Sequence, residues 1–267
     1  MSAVGPCSTR RTSGSEADLD VLVCIKRVPE TGARITLTAD EQELDTSYLG
    51  FTISPHEECA VEEALRLVAA HGGSATALTL GPPEAVEQLR NAVAMGADSA
   101  ILLETDRSDW DPQATAAAIV EAARDGGYDL LLFGNESADS GGYQVGIRVA
   151  HALGLPCVTG IKSIAVENGV ATVSREAGSG WEIFEVALPA VLAVKEGINL
   201  PRYLSLPGRL RAKKTEIDRR VPTRVAGDLQ KLRLVVPEDE GSRVQFLGDG
   251  ATAAPRVVQV LRELGVA

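Results

Sequence analysis

The sequence predicts an α/β fold with a doubly wound, mostly parallel sheet and an antiparallel extension. Apolar runs typical of buried strands alternate with segments of helical apolar spacing as far as residue 153. Repeated strand–helix units of this kind favour parallel strands covered by helices on both faces. From residue 161 onward, glycine-containing turns join apolar runs instead, which predicts hairpins that extend or cap the same sheet.

The strand–helix part can be assigned in order from its periodicity. Apolar residues such as Ala60, Val61, Ala64 and Leu65 recur at helical spacing, and a glycine follows each helical segment closely. The predicted strands are residues 21–25, 75–80, 100–103 and 128–133, and the predicted helices are residues 57–71, 84–95, 112–124 and 143–153.

The second half is assigned from its turns. Asn168-Gly169 is a strong hairpin signal, and a further glycine turn covers residues 178–180. The predicted strands here are residues 161–166, 170–175, 181–186 and 189–194, followed by a basic run, a charged linker, a strand candidate at 243–247 and a terminal helix at 254–264. We therefore divide the chain into a disordered tail (1–20), one α/β domain (21–217) and a linker with a C-terminal arm (218–267).

Composition limits the possible functions. Hydrophobic residues make up 45% of the chain, and the net charge is −11. This acidic balance disfavours nucleic acid or an anionic membrane as the main partner. The nearly apolar run at 186–194 is too short to span a bilayer, so no membrane insertion is expected.

Cysteine and histidine usage points to a reduced, metal-free protein. The four cysteines form no CxxC pair, and Cys24 and Cys59 fall in apolar patterns, which predicts buried thiols and a cytoplasmic location. The histidines show no zinc-ligand spacing. The acidic pairs Glu57-Glu58 and Glu62-Glu63 are predicted to form a solvated, dipole-favoured helix face.

A binding site is predicted at one edge of the sheet. In a doubly wound sheet, ligands bind beyond the carboxyl ends of the strands, which brings residues 26–31, 80–82 and 134–144 together. Glycines in the last segment let the backbone approach a ligand, and N–H groups at the next helix start can hold a phosphate. Glu136 and Asp139 would repel a phosphate, so we expect them to cap the helix or accept from ribose hydroxyls; Ser140 is the other candidate cap.

No catalytic arrangement accompanies this site. Ser140 has no neighbouring histidine, and Cys24, inside a strand, is typical of a small core residue rather than a nucleophile. The known phosphate-loop motifs are missing; Ser140-Gly141-Gly142 resembles the start of a pyrophosphatase loop, but it comes late in the chain. The sequence favours a binding protein over an enzyme.

Several stretches together resemble the β subunit of electron-transfer flavoproteins. They are VLVCIKRVPETGARI, SPHEECAVEEALRL, LGPPEAVEQLRNAVAMGAD, GNESADSGGYQVG and VSREAGSGWEIFEVALPAVLAVKEGINLPRYLSLPGRLRAKKTEI. The resemblance covers residues 21–217 and implies an adenine-nucleotide α-hydrolase-like fold. It also implies a heterodimer with an α subunit that holds most of an FAD and receives the C-terminal arm. Such a pair carries electrons from acyl-CoA-type or other flavin dehydrogenases to a quinone oxidoreductase or another acceptor.

The resemblance also implies site residues. The nucleotide is AMP or, as in electron-bifurcating members, a second FAD; Gln144-Val145-Gly146 resembles the latter, whereas the residues before it do not, so both stay open. By this resemblance, Thr31 lies near the flavin ring and Leu206 anchors partner dehydrogenases. Arg175 and Glu176 face the α subunit. The implied nucleotide contacts are Cys24, Ser54, Pro55, His56, Glu57, Leu80, Gly134, Asn135, Glu136, Ser137, Ala138, Asp139, Ser140, Gly141, Gly142, Tyr143, Gln144 and Val145.

Two other interpretations of the residues remain. A flavin-free, adenine-nucleotide-binding regulatory module of the universal-stress type is predicted to be stable alone and to retain no FAD with an α subunit. An ATP-splitting enzyme of the same fold is predicted to release pyrophosphate from ATP, and the absent pyrophosphatase loop argues against it.

Overall fold

The computed structural model describes residues 18–30, 32, 34–106, 110–225, 227, 229–237 and 244–266. Most of the predicted N-terminal tail and Thr31 lie outside these residues. The first strand begins at Leu19, two residues before the predicted start of the domain, because Leu19 and Asp20 pair with Gly73 and Ser74 in the sheet.

One large sheet dominates the fold. Within the described residues it has nine strands, in the spatial order β11-β5-β4-β1-β6-β10-β7-β8-β9, and a separate antiparallel pair joins β2 to β3. The strands are β1 (Leu19–Cys24), β2 (Arg27–Pro29), β3 (Phe51–Ile53), β4 (Gly73–Gly81), β5 (Ser99–Glu104), β6 (Leu130–Gly134), β7 (Cys157–Glu167), β8 (Val170–Ala177), β9 (Gly180–Ala187), β10 (Ala190–Val194) and β11 (Asp218–Arg220).

Helices cover both faces of the parallel part, and a last helix lies in the C-terminal arm. They are α1 (Pro55–His71), α2 (Val86–Met95), α3 (Pro112–Ala123), α4 (Val145–Leu153), α5 (Leu206–Lys214) and α6 (Ala254–Glu263), with short 3-10 turns at Pro83–Ala85 and Gly250–Ala253. Alternate residues of β1 point to opposite faces. Val21 and Val23 pack with α1 and α2, whereas Leu22 and Cys24 pack with α3 and α4. The predicted doubly wound sheet is therefore confirmed.

The antiparallel extension is also confirmed, with one addition. Strands β7, β8 and β9 form a meander at the end of the sheet, and Asn168 and Gly169 take positive φ angles of 52° and 75° at its first turn. These angles suit the Asn-Gly pair that predicted the hairpin. The predicted last strand, β10, is not placed next to β9 in the sheet. It inserts between β6 and β7 and runs parallel to both.

Sequence patterns missed or misplaced some elements. The β2–β3 pair, α5 and β11 were not predicted, because each is short or highly polar and gains its partners from distant segments. Helix α4 begins at Val145 rather than residue 143. Of the strand candidate at 243–247, residues 244–247 are described and form no strand. The terminal helix is confirmed as α6.

The prediction of a solvated acidic face on α1 is wrong. Glu57, Glu62 and Glu63 are only 6%, 4% and 8% exposed. Each accepts a hydrogen bond from a group far away in sequence, respectively the backbone of Lys26, the side chain of Arg202 and the side chain of Asn199. Tertiary partners therefore replace the water that helix periodicity alone would assign to these carboxylates.

The C-terminal arm lies partly along an N-terminal loop. The Leu234 N–H donates to the Glu41 carbonyl at 2.8 Å, and Gln42 Nε2 donates to the Leu232 carbonyl at 3.0 Å. All of α6 is described, and none of its residues is buried. A search of the described helices found none that combines the length and the apolar character needed to cross a membrane.

Candidate functional site

The candidate site lies where the order of the parallel strands reverses. From β1 the chain moves to β4 and β5 on one side, and later to β6 and β10 on the other. Crossovers leave β1 and β6 in opposite directions, so a crevice opens beyond their carboxyl ends, which are Cys24 and Gly134. The segment after β6, residues 135–144 (the site loop), lines this crevice together with Lys26 and the first turn of α1.

Lys26 closes the crevice at one end. Its ammonium lies 2.7 Å from Asp139 Oδ2 and donates to Ser140 Oγ at 3.3 Å. Burial alone raises the pKa of Asp139, but the charge and hydrogen bond of Lys26 outweigh it and hold the pKa below the ordinary value. The predicted helix cap is therefore wrong for Asp139 and for Ser140. The residue before α4 is Gln144, which makes no side-chain cap.

His56, in the first turn of α1, contacts both the site loop and the residues that follow β10. Its Nε2 lies 3.2 Å from Glu136 Oε1, and its Nδ1 accepts from the Glu196 N–H at 2.9 Å. Since Nδ1 is the acceptor, Nε2 carries the proton and donates to Glu136. Nearby, Ser54 Oγ donates to the Glu136 carbonyl at 3.4 Å. The loop carboxylate of Glu136 is thus held by the protein rather than left facing the crevice.

Glu57 forms the floor of the site. The Lys26 N–H donates to its Oε2 at 2.6 Å. Burial raises the pKa of Glu57 to about 8, against the lowering effect of Lys26, so the carboxyl is mostly protonated at neutral pH. Gly134 permits this packing, because a Cβ there would lie 2.6 Å from Glu57 Cγ. Burial, followed by the charge of Glu57, also raises the pKa of the Cys24 thiol.

The structure brings most predicted nucleotide contacts to this one edge. Cys24, the first turn of α1 and the site loop meet around Lys26, whereas Leu80 lies near the end of β4, one strand away, and packs in the α3–α4 core. Tyr143 is half exposed and lies two residues before α4, with a φ of 55°, an unfavourable angle for an aromatic residue. The loop backbone is anchored to β10 as well, because the Asn135 N–H donates to the Val194 carbonyl at 2.7 Å.

Sequence reasoning missed two contributors. Lys26 was placed on a wall of the site but not among its binding residues, although a lysine directly after a buried strand was a usable signal. Glu196 had no local signal at all. It follows β10, and its contact with His56 spans 140 positions.

The predicted partner residues lie elsewhere. Arg175 and Glu176 are on β8; Arg175 Nε is 2.6 Å from Glu182 Oε2, and Glu176 Oε2 is 3.9 Å from Lys195 Nζ. Leu206 begins α5 and is 71% exposed. The Ser205 hydroxyl accepts from the Gly208 N–H at 3.1 Å and so caps this helix.

The crevice offers hydroxyl and backbone groups that can bind a ligand. Ser140 Oγ is 2.9 Å from Ser137 Oγ, and both hydroxyls lack a contacting histidine among the described residues. A thiol with a raised pKa, such as that of Cys24, is a poor nucleophile. The arrangement provides a cradle of backbone, hydroxyl groups and paired charges.

Comparisons with known proteins agree with this architecture. The family model described as "Electron transfer flavoprotein domain" matches residues 43–224. The electron transfer flavoprotein subunit beta of Syntrophomonas wolfei is 32% identical over 248 residues, which cover 92% of this chain and 96% of that protein. The same-named subunits of Bacillus subtilis and Mycobacterium bovis are 34% and 39% identical, over 75% and 74% of this chain and 78% and 77% of theirs. This chain therefore belongs to the electron-transfer flavoprotein family, among its β subunits.

Proposed function

We propose that this chain binds an adenine nucleotide in the β1–β6 crevice and presents a docking surface within a heterodimeric electron carrier. The α subunit supplies most of an FAD site, and the pair carries electrons from flavin dehydrogenases, of the acyl-CoA type or another, to a quinone oxidoreductase or another acceptor. Membership of the electron-transfer flavoprotein family supports the carrier role.

Charge compensation in the crevice carries the nucleotide part of this proposal. Asp139 is paired with Lys26, Glu136 is hydrogen-bonded to His56, and the raised pKa of Glu57 leaves that carboxyl mostly neutral. Three acidic side chains at a phosphate site would otherwise repel the ligand. With these charges compensated, the loop hydroxyls and backbone N–H groups can face a phosphate.

The ligand is AMP or the AMP moiety of a second FAD. The residues proposed to hold it share the crevice: Cys24, Ser54, Pro55, His56, Glu57, Leu80 and the site loop with its flanking Gly134 and Val145. A bound FAD supplies the flavin ring that accepts and releases electrons, whereas AMP supplies no redox chemistry. The chain's own residues bind and orient the nucleotide, and no acid or base from this chain is required.

Partner contacts are proposed at separate places. Leu206 anchors a dehydrogenase, in keeping with its exposure at the start of α5, and Arg175 and Glu176 face the α subunit. The arm also docks on the α subunit. Its helix α6 carries an exposed apolar stripe of Val257, Val258, Leu261 and Leu264 at helical spacing, which suits burial against another chain.

A cytoplasmic location is proposed on the state of the cysteines. Cys24 and Cys59 are free and buried, as the sequence predicted, and Cys157 is free and partly buried. Free thiols are typical of proteins kept in a reducing compartment.

Nucleotide content tests the proposal directly. The chain is co-expressed with its α subunit, the purified heterodimer is denatured, and the released AMP and FAD are quantified by chromatography. One FAD with one AMP per heterodimer supports a shuttle with a structural AMP, and two FAD without AMP supports a redox-active flavin in the crevice. A heterodimer that releases FAD from the α site alone, with no second nucleotide, contradicts the proposed crevice function.

A further inference from the structure

Helix α1 contacts the segment after β10 in a regular register. The side chain of His56 accepts from the Glu196 N–H, Asn199 Nδ2 donates to the Cys59 carbonyl at 2.9 Å, and Arg202 Nε donates to Glu62 Oε2 at 2.7 Å. Each pair is separated by 140 positions, so the contacts advance three residues at a time along both partners. One stripe of α1 therefore holds residues 196–202.

This register constrains the path of the segment. Three residues advance about 4.5 Å along a helix, whereas three extended residues span roughly 10 Å. Residues 196–202 must therefore curl to match the rise of α1, and residues 196 and 197 lie in a turn. The segment belongs to no strand or helix, so contacts with α1 take the place of a backbone ladder in ordering it.

Glu62 makes the strongest of these contacts. Its side chain is 5% exposed and accepts from Arg202 through Nε at 2.7 Å, Nη2 at 3.0 Å and the backbone N–H at 3.2 Å. Burial raises the pKa of Glu62, but the hydrogen bonds and charge of Arg202 outweigh it and lower the pKa overall. Beside it, Glu63 accepts from Asn199 Nδ2 at 2.9 Å.

The segment is anchored on α1 through polar groups, while apolar side chains on it and just after it are exposed. Leu200 is 82% exposed, Tyr203 is 98% exposed, and Leu206, at the start of α5, is 71% exposed. We infer that Glu62 is a positioning residue for partner docking, because it holds Arg202 and thereby fixes the segment that presents Leu206. This inference rests on the docking role proposed for Leu206. Glu62 is too buried to touch a partner itself, so any effect of changing it on docking must pass through the segment.

The expected effect is a cost in ordering. Without its contact to Glu62, the segment must be ordered when the partner binds. The conformational entropy lost in this ordering weakens the association. We expect Glu62→Gln to raise the KM of a donor dehydrogenase for the heterodimer about tenfold, while turnover at saturation stays unchanged. An acyl-CoA dehydrogenase reduced by its acyl-CoA substrate serves as the donor.

The experiment compares Glu62→Gln, Arg202→Gln and the double variant in the heterodimer with its α subunit. Amide hydrogen exchange over residues 196–205 reports segment order without any partner, and the donor KM reports docking. Both readouts should change in each single variant, and the double variant should match the singles rather than their sum. Arg202→Lys keeps the charge but loses the two-point geometry. It should therefore restore segment order and the donor KM partly, relative to Arg202→Gln.

Arg66→Gln is the matched control. Arg66 also contacts Glu62, with Nε 3.2 Å from Oε1, but it lies on α1 and does not touch the segment. We expect neither exchange nor KM to change in this variant. If Glu62→Gln does not fold, the half-exposed Arg202 still gives a usable variant.

Leu206→Ala separates the possible failures. A raised KM in Leu206→Ala with unchanged KM in Glu62→Gln and Arg202→Gln overturns the positioning role and leaves the docking role intact. An unchanged KM in Leu206→Ala overturns the docking role and this inference with it. Equal effects of Arg66→Gln and Glu62→Gln would mean a general loss of helix stability and would also overturn positioning.

Discussion

Glu57 is a carboxyl of the candidate site whose acid–base behaviour is strongly altered. Its pKa rises from the ordinary 4.5 to about 8 through burial, with Lys26, Asp139 and the Cys24 thiol nearby. Between about pH 4.5 and about pH 8, the Glu57 carboxyl is protonated in the folded protein and ionised in the unfolded chain. Stability contributed by this proton is complete below about pH 4.5 and is lost as the pH rises towards 8.

Replacing Glu57 by glutamine should flatten this pH dependence. The introduced amide stays neutral at every pH, and its oxygen can still accept from the Lys26 N–H. We expect wild type to lose roughly 2–3 kcal/mol more unfolding free energy than Glu57→Gln between about pH 6 and about pH 8.5. Urea titration of the heterodimer at both pH values measures this difference, and equal losses in the two proteins would contradict it.

Gly134 is the second position where a single residue decides the site. A Cβ there would lie 2.6 Å from Glu57 Cγ and 3.2 Å from His56 Cβ, so Gly134→Ala must push the end of β6 away from α1. We expect a loss of about 1–3 kcal/mol in stability and weaker nucleotide retention. Thermal unfolding and nucleotide content of the heterodimer measure the two effects.

Gly142→Ala is the matched control for Gly134→Ala. Gly142 lies in the site loop that follows Gly134, and a Cβ there would meet nothing within 4 Å. The two variants add the same methyl group, so only the packing against α1 differs. Similar destabilisation in both would show that the loop backbone, rather than the approach to Glu57, sets the cost.

At the scale of elements, α1 serves two regions of the molecule. Its first turn lies at the nucleotide crevice, and its second and third turns hold the segment that leads to α5. The helix itself was predicted from apolar spacing, but the acidic residues that make these contacts were assigned to solvent. Periodicity reports which residues face the sheet; it carries no information about a segment 140 positions later that covers the remaining face.

Helix α6 is the element that we propose is buried against another chain. Val257 and Leu261 are 40% and 38% exposed and lie one turn apart on its apolar side. We expect the double change Val257→Ser with Leu261→Ser to weaken binding of the α subunit at least tenfold, because it removes apolar area from the proposed interface. The dissociation constant of the heterodimer measures this.

Gln259→Ser provides the control for the α6 variant. Gln259 lies on the opposite side of the helix and contacts Arg256 and Glu263 rather than the apolar stripe. This change should leave the dissociation constant within about twofold, as expected for most surface substitutions. An unchanged constant in the double variant of Val257 and Leu261 would place α6 outside the interface.

At the scale of the whole molecule, the proposed nucleotide crevice and the proposed docking surface are separate. The crevice lies beyond β1 and β6, while Leu206 begins a helix that packs on α2 through the contact of Arg211 with the Val93 carbonyl. We expect Leu206→Ala to raise the donor KM roughly thirtyfold, as for an interface hot spot, with unchanged flavin content. Steady-state reduction of the heterodimer by the donor measures the change.

Leu210→Ala calibrates the effect of Leu206→Ala. Leu210 is 53% exposed and lies one turn further along α5. Its replacement by alanine therefore measures how much the loss of exposed apolar area alone raises the donor KM. Dithionite reduction of the flavin should be equal in both variants and wild type. Equal donor kinetics in the two leucine variants would argue against a single anchor at Leu206.

Local patterns in the sequence predict the order and type of most main elements and the edge of the sheet at which the candidate site lies. Strand and helix periods are local properties, and parallel strands place their carboxyl ends together whatever the side chains are. The motifs that indicate the family are local as well, because each is a short stretch of sequence.

The way in which acidic side chains of the candidate site and of α1 are compensated depends on tertiary contacts. The pairing of Lys26 with Asp139 spans 113 positions, and that of Glu62 with Arg202 spans 140. Whether a carboxylate is solvated, protonated or paired depends on which groups the fold brings within a few ångströms and on how much water it removes. Neither quantity is a property of neighbouring residues, so the helix pattern that predicted α1 could not predict the partners of its acids.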